Sequence, residues 1–140
     1  MSEILTQQQL NKLSKKYHIN TIYLFGSQAK GNITKLSDYD FAILLDDKVD
    51  AKKYGQYQIN IISELLRMIK TNHIDLVILN NTKLPLLLKY NIIKDGKVLL
   101  DKNKSKRVDL EVHTFTRWFD WEYFEKMWGE IYLQKAKISS

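Results

Sequence analysis

The chain has 140 residues, which suits one domain and leaves little room for a second. It contains no cysteine, so disulfides, zinc–thiolate sites and cysteine nucleophiles are excluded, and a reducing cytoplasm fits. The formal net charge of +6 favours polyanionic ligands such as nucleotides, nucleic acid or an acidic protein, with plain solubility as the simpler reading.

The opening stretch is polar, with no apolar leader core, and no run approaches a membrane span. A soluble, cytoplasmic protein is expected. Residues 6–17 predict a helix, capped by Thr6 and carrying Leu10, Leu13 and Tyr17 near helical spacing. Residues 19–25, rich in β-branched and aromatic types, predict a strand. A polar loop follows Gly26 and Ser27, and residues 39–45 predict a second strand. Residues 51–70 suit an amphipathic helix with Ile59, Ile62, Leu66 and Ile69 on one side. Residues 74–79 predict a third strand. Pro85 suits the first turn of a helix running to about Asp95. Residues 97–100 predict a short fourth strand, and about 104–138 reads as helical, with a break expected near Asp120. The basic run Lys102, Lys104, Lys106 and Arg107 reads as a solvated loop or helix start. Alternating helices and strands predict an α/β or α+β fold in a single domain.

The chemistry concentrates between the first two strands. Gly26 and Ser27 are followed by ten residues and then Asp38-Tyr39-Asp40. Glycine permits positive φ and close approach of backbone to a ligand. The hydroxyl and N–H of Ser27 suit a phosphate, above all if a helix starts there. Asp38 and Asp40, two apart at the head of a strand, share one face. Two such carboxylates repel unless a cation sits between them, and hard oxygen ligands suit Mg²⁺. Asp75 lies in the apolar run of the third strand. A buried aspartate needs a partner or a metal. If its strand neighbours that of Asp38 and Asp40, it completes a triad and can act as general base. The plainer reading pairs Asp75 with His73 or a lysine. Lys30 and Lys35 can reach phosphates but more often such lysines solvate a loop. His18, His73 and His113 form no ligand pattern.

This arrangement resembles the Gly-Ser, ten residues, Asp-x-Asp signature of the polymerase-β-type nucleotidyltransferases. The fuller string from Gly26 to Leu45 is similar to the minimal nucleotidyltransferases, and the whole chain is similar to the antitoxins of HEPN/MNT toxin–antitoxin pairs. Tyr39 and Phe41 depart from the smaller aliphatic residues usual around the second motif aspartate. The resemblance implies a small mixed sheet flanked by helices, with a C-terminal helical segment. It implies ATP as substrate, held through Gly26 and Ser27, and Mg²⁺, two ions, on Asp38, Asp40 and Asp75. It further implies transfer of AMP to a tyrosine of a cognate HEPN ribonuclease, in a hetero-oligomer with that toxin. The rivals are an antitoxin acting by binding alone, a small-molecule or RNA nucleotidyltransferase, and a nucleic-acid-binding regulator whose affinity falls with salt.

Half of all the aromatic residues lie between Phe115 and Tyr132. Most are expected to pack as a helical cap over the sheet. The remainder are expected at the surface, where exposed aromatics mark partner contacts.

Overall fold

The computed structural model describes residues 4–26 and 39–138. Four helices, α1 (Gln7–Tyr17), α2 (Tyr54–Ile69), α3 (Leu86–Asp95) and α4 (Lys104–Ile138), surround four strands. The strands are β1 (Ile19–Phe25), β2 (Tyr39–Leu45), β3 (Ile74–Ile78) and β4 (Lys97–Asp101), in spatial order β3-β2-β1-β4. β1 is antiparallel to both β2 and β4, whereas β2 and β3 run parallel. The expected mixed sheet is therefore present, with the motif strands β1 and β2 at its centre. Among the described residues no helix is long and apolar enough to cross a membrane.

Local sequence explains the element ends. The Thr6 hydroxyl accepts from the Gln9 N–H at 3.1 Å while the Gln9 side chain accepts from the Thr6 N–H at 3.0 Å. This reciprocal box satisfies two donors that a helix start otherwise leaves bare. His18 and Lys70, at φ 54° and 57°, turn left-handed and close α1 and α2.

Strand alternation divides the core in two. Ile22, Leu24, Phe41, Ile43, Leu76 and Ile78 face α1 and α2. Tyr23, Ala42, Leu44 and Val77 face the other way, against Leu88, Ile92 and Ile93 of α3 and Leu110 and Phe115 of α4. Both faces of the central strands are buried, which is why β1 and β2 read as nearly continuous apolar runs.

A polar cluster ties α4 to the sheet. The Arg107 guanidinium donates to Asp101 and to Glu111, each at 2.8 Å, and the Tyr23 phenol donates to Glu111 at 2.8 Å. Burial, and then this bond to a carboxylate, push the Tyr23 phenol well above its ordinary pKa, so it stays a donor. Lys106 pairs with Asp47 at 3.0 Å. Two members of the basic run thus belong to the fold and do not merely solvate a loop. Arg107→Met removes the cation facing two largely buried carboxylates. The expected loss is about 3 kcal/mol, read as a lower urea midpoint at unchanged slope.

The expected break at Asp120 is absent: α4 is one helix of 35 residues. It contains no proline, and its sole glycine, Gly129, passes in helical geometry. Asp120 at an exposed position lowers helix propensity only modestly. The aromatic cap is corrected with it. Phe115 and Trp118 do pack, and Tyr90 of α3 stacks on Trp118 with ring centroids 4.7 Å apart. Phe119, Trp121, Tyr123, Phe124, Trp128 and Tyr132 are instead 52% to 78% exposed, because a straight helix carries them past the edge of the core.

Candidate active site

The end of β1 and the beginnings of β2 and β3 meet at one edge of the sheet. Register fixes what meets there: Phe25 lies opposite Asp40, and Asp40 lies opposite Asp75. Neighbouring strands run roughly 4.8 Å apart. Asp40 alternates with Ala42 and Leu44, and Asp75 with Val77, so both carboxylates point to the α3/α4 side. The condition posed by the sequence is met, since the strand of Asp75 is the direct neighbour of that of Asp40.

Gly26 follows β1 with φ at +76°. A Cβ built on it falls on the Asp40 carboxylate. The left-handed backbone favours glycine, and any side chain there would also make the Asp40 carboxylate give way. Gly26 and Tyr39, the described residues on either side of 27–38, both lie at this edge. Ser27 and Asp38 of the sequence motif, with Lys30 and Lys35, lie outside the described residues.

Asp40 is half-buried, whereas the Asp75 side chain is 60% exposed. The apolar run around Asp75 predicts a buried carboxylate. In the structure it stands exposed on the α3/α4 face of the edge strand β3, and its Oδ1 lies 3.0 Å from His73 Nε2. His73 stands just before β3, and its contact with Asp75 is the plainer pairing that the sequence offers. The Tyr39 N–H donates to the His73 carbonyl at 3.4 Å, joining the heads of β2 and β3.

These residues fit a divalent cation by donor chemistry. Two hard carboxylates stand side by side on one face, and the motif supplies Asp38 two residues before Asp40. Among the described residues alone, no three acidic or histidine side chains gather as a metal site.

Two surface recesses lie elsewhere. One, of about 440 Å³, sits between α1 and α2 and is lined in part by Lys16, Tyr17, Glu64 and Arg67. There the Tyr17 phenol donates to Glu64, and its pKa is pushed up to about 12, chiefly by burial and then by that bond. The other, of about 310 Å³, lies where the start of α3 meets α4, between Leu86, Arg117, Asp120, Trp121 and Phe124. Neither includes Gly26, Asp40 or Asp75. The paired carboxylates, and not the hollow between α1 and α2, mark the candidate site, because in-register carboxylates are the hard ligands that triphosphate chemistry needs.

Comparison with known proteins gives the family and the fold. The family described as polymerase beta, nucleotidyltransferase matches residues 8–105. The protein adenylyltransferase MntA of Aphanizomenon flos-aquae (strain 2012/KM1/D3) is 34% identical over 108 residues, covering 70% of this chain and 67% of that protein. A crystal structure of a toxin–antitoxin with AMP-PNP superposes with a TM-score of 0.68 at 22% identity, covering 90% of this chain and 97% of that one. The Shewanella oneidensis MNT antitoxin, in complex with its tri-AMPylated HEPN toxin, gives 0.62 at 20% identity, over 88% and 92% of the two chains.

Proposed function

Because the chain belongs to the polymerase beta nucleotidyltransferase family, we propose that it is an antitoxin acting as a protein adenylyltransferase. It transfers AMP from ATP to a tyrosine of a cognate HEPN ribonuclease toxin and so neutralises it, as one catalytic domain working in the cytoplasm. The observation that carries this reading is the in-register pair Asp40 and Asp75 beside the positive-φ Gly26. The 34% identity to a protein adenylyltransferase supports the protein acceptor.

Asp40 and Asp75, with Asp38, are the residues that would hold Mg²⁺, two ions by family resemblance. When bound, Mg²⁺ neutralises triphosphate oxygens and the charge that develops at the α-phosphorus. Gly26 keeps this edge open, so that backbone can approach the triphosphate. Ser27, directly after it, supplies a hydroxyl and an N–H for phosphate oxygens. Asp75, the more exposed carboxylate, takes the proton of the acceptor hydroxyl. Tyrosine oxygen bonds to the α-phosphorus, the bond from that phosphorus to the bridging oxygen breaks, and pyrophosphate leaves. His73 steadies the Asp75 carboxylate from the side through the 3.0 Å contact.

The test is incubation with Mg²⁺ and each of four α-labelled nucleoside triphosphates, with and without the protein encoded beside it. Label is expected on that protein, from ATP, and is lost in the Asp38→Asn/Asp40→Asn double variant. Absence of label from every nucleotide, with the neighbour still inhibited, would leave an antitoxin acting by binding alone.

A further inference from the structure

The recess between α1 and α2 lies on the face of the sheet opposite the carboxylates. Ile22, Leu24, Phe41 and Ile43 face these helices, whereas Asp40 and Asp75 point to the α3/α4 side. Its volume of about 440 Å³ suits a small ligand. The transferase reading gives it no part.

One stripe of α2 lines it. Tyr57, Asn60, Glu64 and Arg67 follow at spacings that keep them on one side of the helix. From Asn60 to Arg67 the axis rises roughly 10 Å, close to the length of a nucleoside monophosphate. α1 contributes Lys16 and Tyr17 from across the hollow.

The hydrogen bonds within the recess decide what remains for a ligand. Glu64 Oε2 accepts from the Tyr17 phenol and pairs with Lys16 at 3.3 Å. The Asn60 side-chain carbonyl accepts from Gln56 at 2.9 Å, which leaves its amide N–H groups unspent. The exposed Arg67 guanidinium has no hydrogen bond or ion pair among the described residues. Its charge nevertheless reaches into the hollow, where it opposes the rise in the Tyr17 phenol pKa. With Lys16 it sets two cations against one carboxylate, so the recess is positive on balance. A free guanidinium fork matches phosphate oxygens in pairs. Glu64 Oε1 can accept from a sugar hydroxyl. Tyr57, half-buried and edge-on to Tyr17 with ring centroids 5.7 Å apart, offers a flat group an aromatic partner. A bare anion would use only the fork, and a neutral ring only Tyr57. A ligand with phosphate at one end, hydroxyls between and a flat base at the other uses the whole stripe in order.

We propose that this recess is a second nucleotide site, which takes a nucleoside monophosphate. Its phosphate lies on Arg67, a sugar hydroxyl on Glu64, and its base against Tyr57 with the Asn60 amide donating to a base acceptor. The site is separate from the carboxylate edge and stands or falls independently of AMP transfer.

Calorimetric titration of the full-length protein with AMP, without Mg²⁺ or toxin, tests this. One AMP per chain is expected, with a Kd below about 1 mM. Arg67→Glu is expected to weaken it at least about tenfold, and Arg67→Lys, which keeps the charge and loses the fork, to fall between. Tyr57→Leu is expected to weaken it roughly tenfold through lost stacking. Inorganic phosphate and adenosine, as separate probes, should each bind at least about tenfold more weakly than AMP. Asp40→Asn binds AMP as wild type does, and Arg67→Glu keeps the wild-type melting temperature and AMP labelling of the toxin. No AMP binding at millimolar concentration overturns the proposal, as does wild-type AMP affinity in Arg67→Glu. Binding that Asp40→Asn abolishes and Arg67→Glu retains puts AMP at the carboxylate edge and also overturns it. Phosphate binding as tightly as AMP leaves an anion site and overturns the nucleotide class. AMP held through Arg67, with no toxin labelling from any triphosphate, upholds the recess and sinks the transferase.

Discussion

Asp40→Asn is expected to lower AMP transfer by about 10³-fold or more while the protein stays folded. Removing one anionic oxygen from a site that neutralises triphosphate charge forfeits several kcal/mol, and about 4 kcal/mol is a factor of roughly 10³ in rate. The fold should tolerate the change. Asparagine keeps the shape of aspartate at this half-buried position, so the melting temperature is expected to stay near that of the wild type. Asp75→Asn should also lose transfer, within roughly 10²- to 10⁴-fold for a general base. Its more exposed position at the strand edge predicts that nucleotide affinity falls less than in Asp40→Asn. Labelling time courses, nucleotide titration and calorimetry on the two variants separate these effects. Wild-type transfer by Asp40→Asn would remove that carboxylate from the site. Loss of transfer together with a falling melting temperature would make its part structural.

Much of this was legible in the residues, and the exceptions have physical causes. The strands declared themselves because β1 and β2 are buried on both faces and so read as continuous apolar runs. Thr6 announces the start of α1 as a cap, to which the structure adds the box with Gln9, and Pro85 marks the start of α3. The adjacency of β2 and β3, which brings Asp75 beside Asp40, was posed as a condition, since no local rule decides which strands pair. Long-range partners were invisible for the same reason. Nothing near Arg107 reveals that Asp101, Glu111 and, behind them, Tyr23 close around it.

The misreading of α4 is the more instructive. A break at Asp120 followed from the premise that one domain must bury its own aromatic residues. Local chemistry never favoured it: the segment holds no proline, and its one glycine lies nine residues beyond Asp120. The helix obeyed its propensities, and the burial premise failed instead. An apolar stripe that its own core cannot cover is evidence for a second chain, and sequence patterning alone does not say which chain provides the cover.

Gly26→Ala should damage the site from the backbone side. At φ +76° an alanine bears left-handed strain of about 1 kcal/mol, and its methyl group also lands on the Asp40 carboxylate. The carboxylate can turn away or the β1 end can shift, and either displaces a ligand oxygen by around 1 Å. A misplacement of that size costs on the order of 10² in rate. The expected result is transfer reduced about 100-fold with stability lowered by roughly 1–2 kcal/mol in urea unfolding. The two contributions can be separated by repeating the substitution beside Asp40→Ala, which removes the colliding oxygens and leaves the backbone strain. Gly26→Ala should then cost only the strain of about 1 kcal/mol, so the two substitutions couple. Equal losses in both backgrounds would mean that φ alone demands the glycine and that the carboxylate is not seated against it. A smaller loss beside Asp40→Ala would tie the turn after β1 to the position of the acidic group on β2, and with it the first half of the motif to the second.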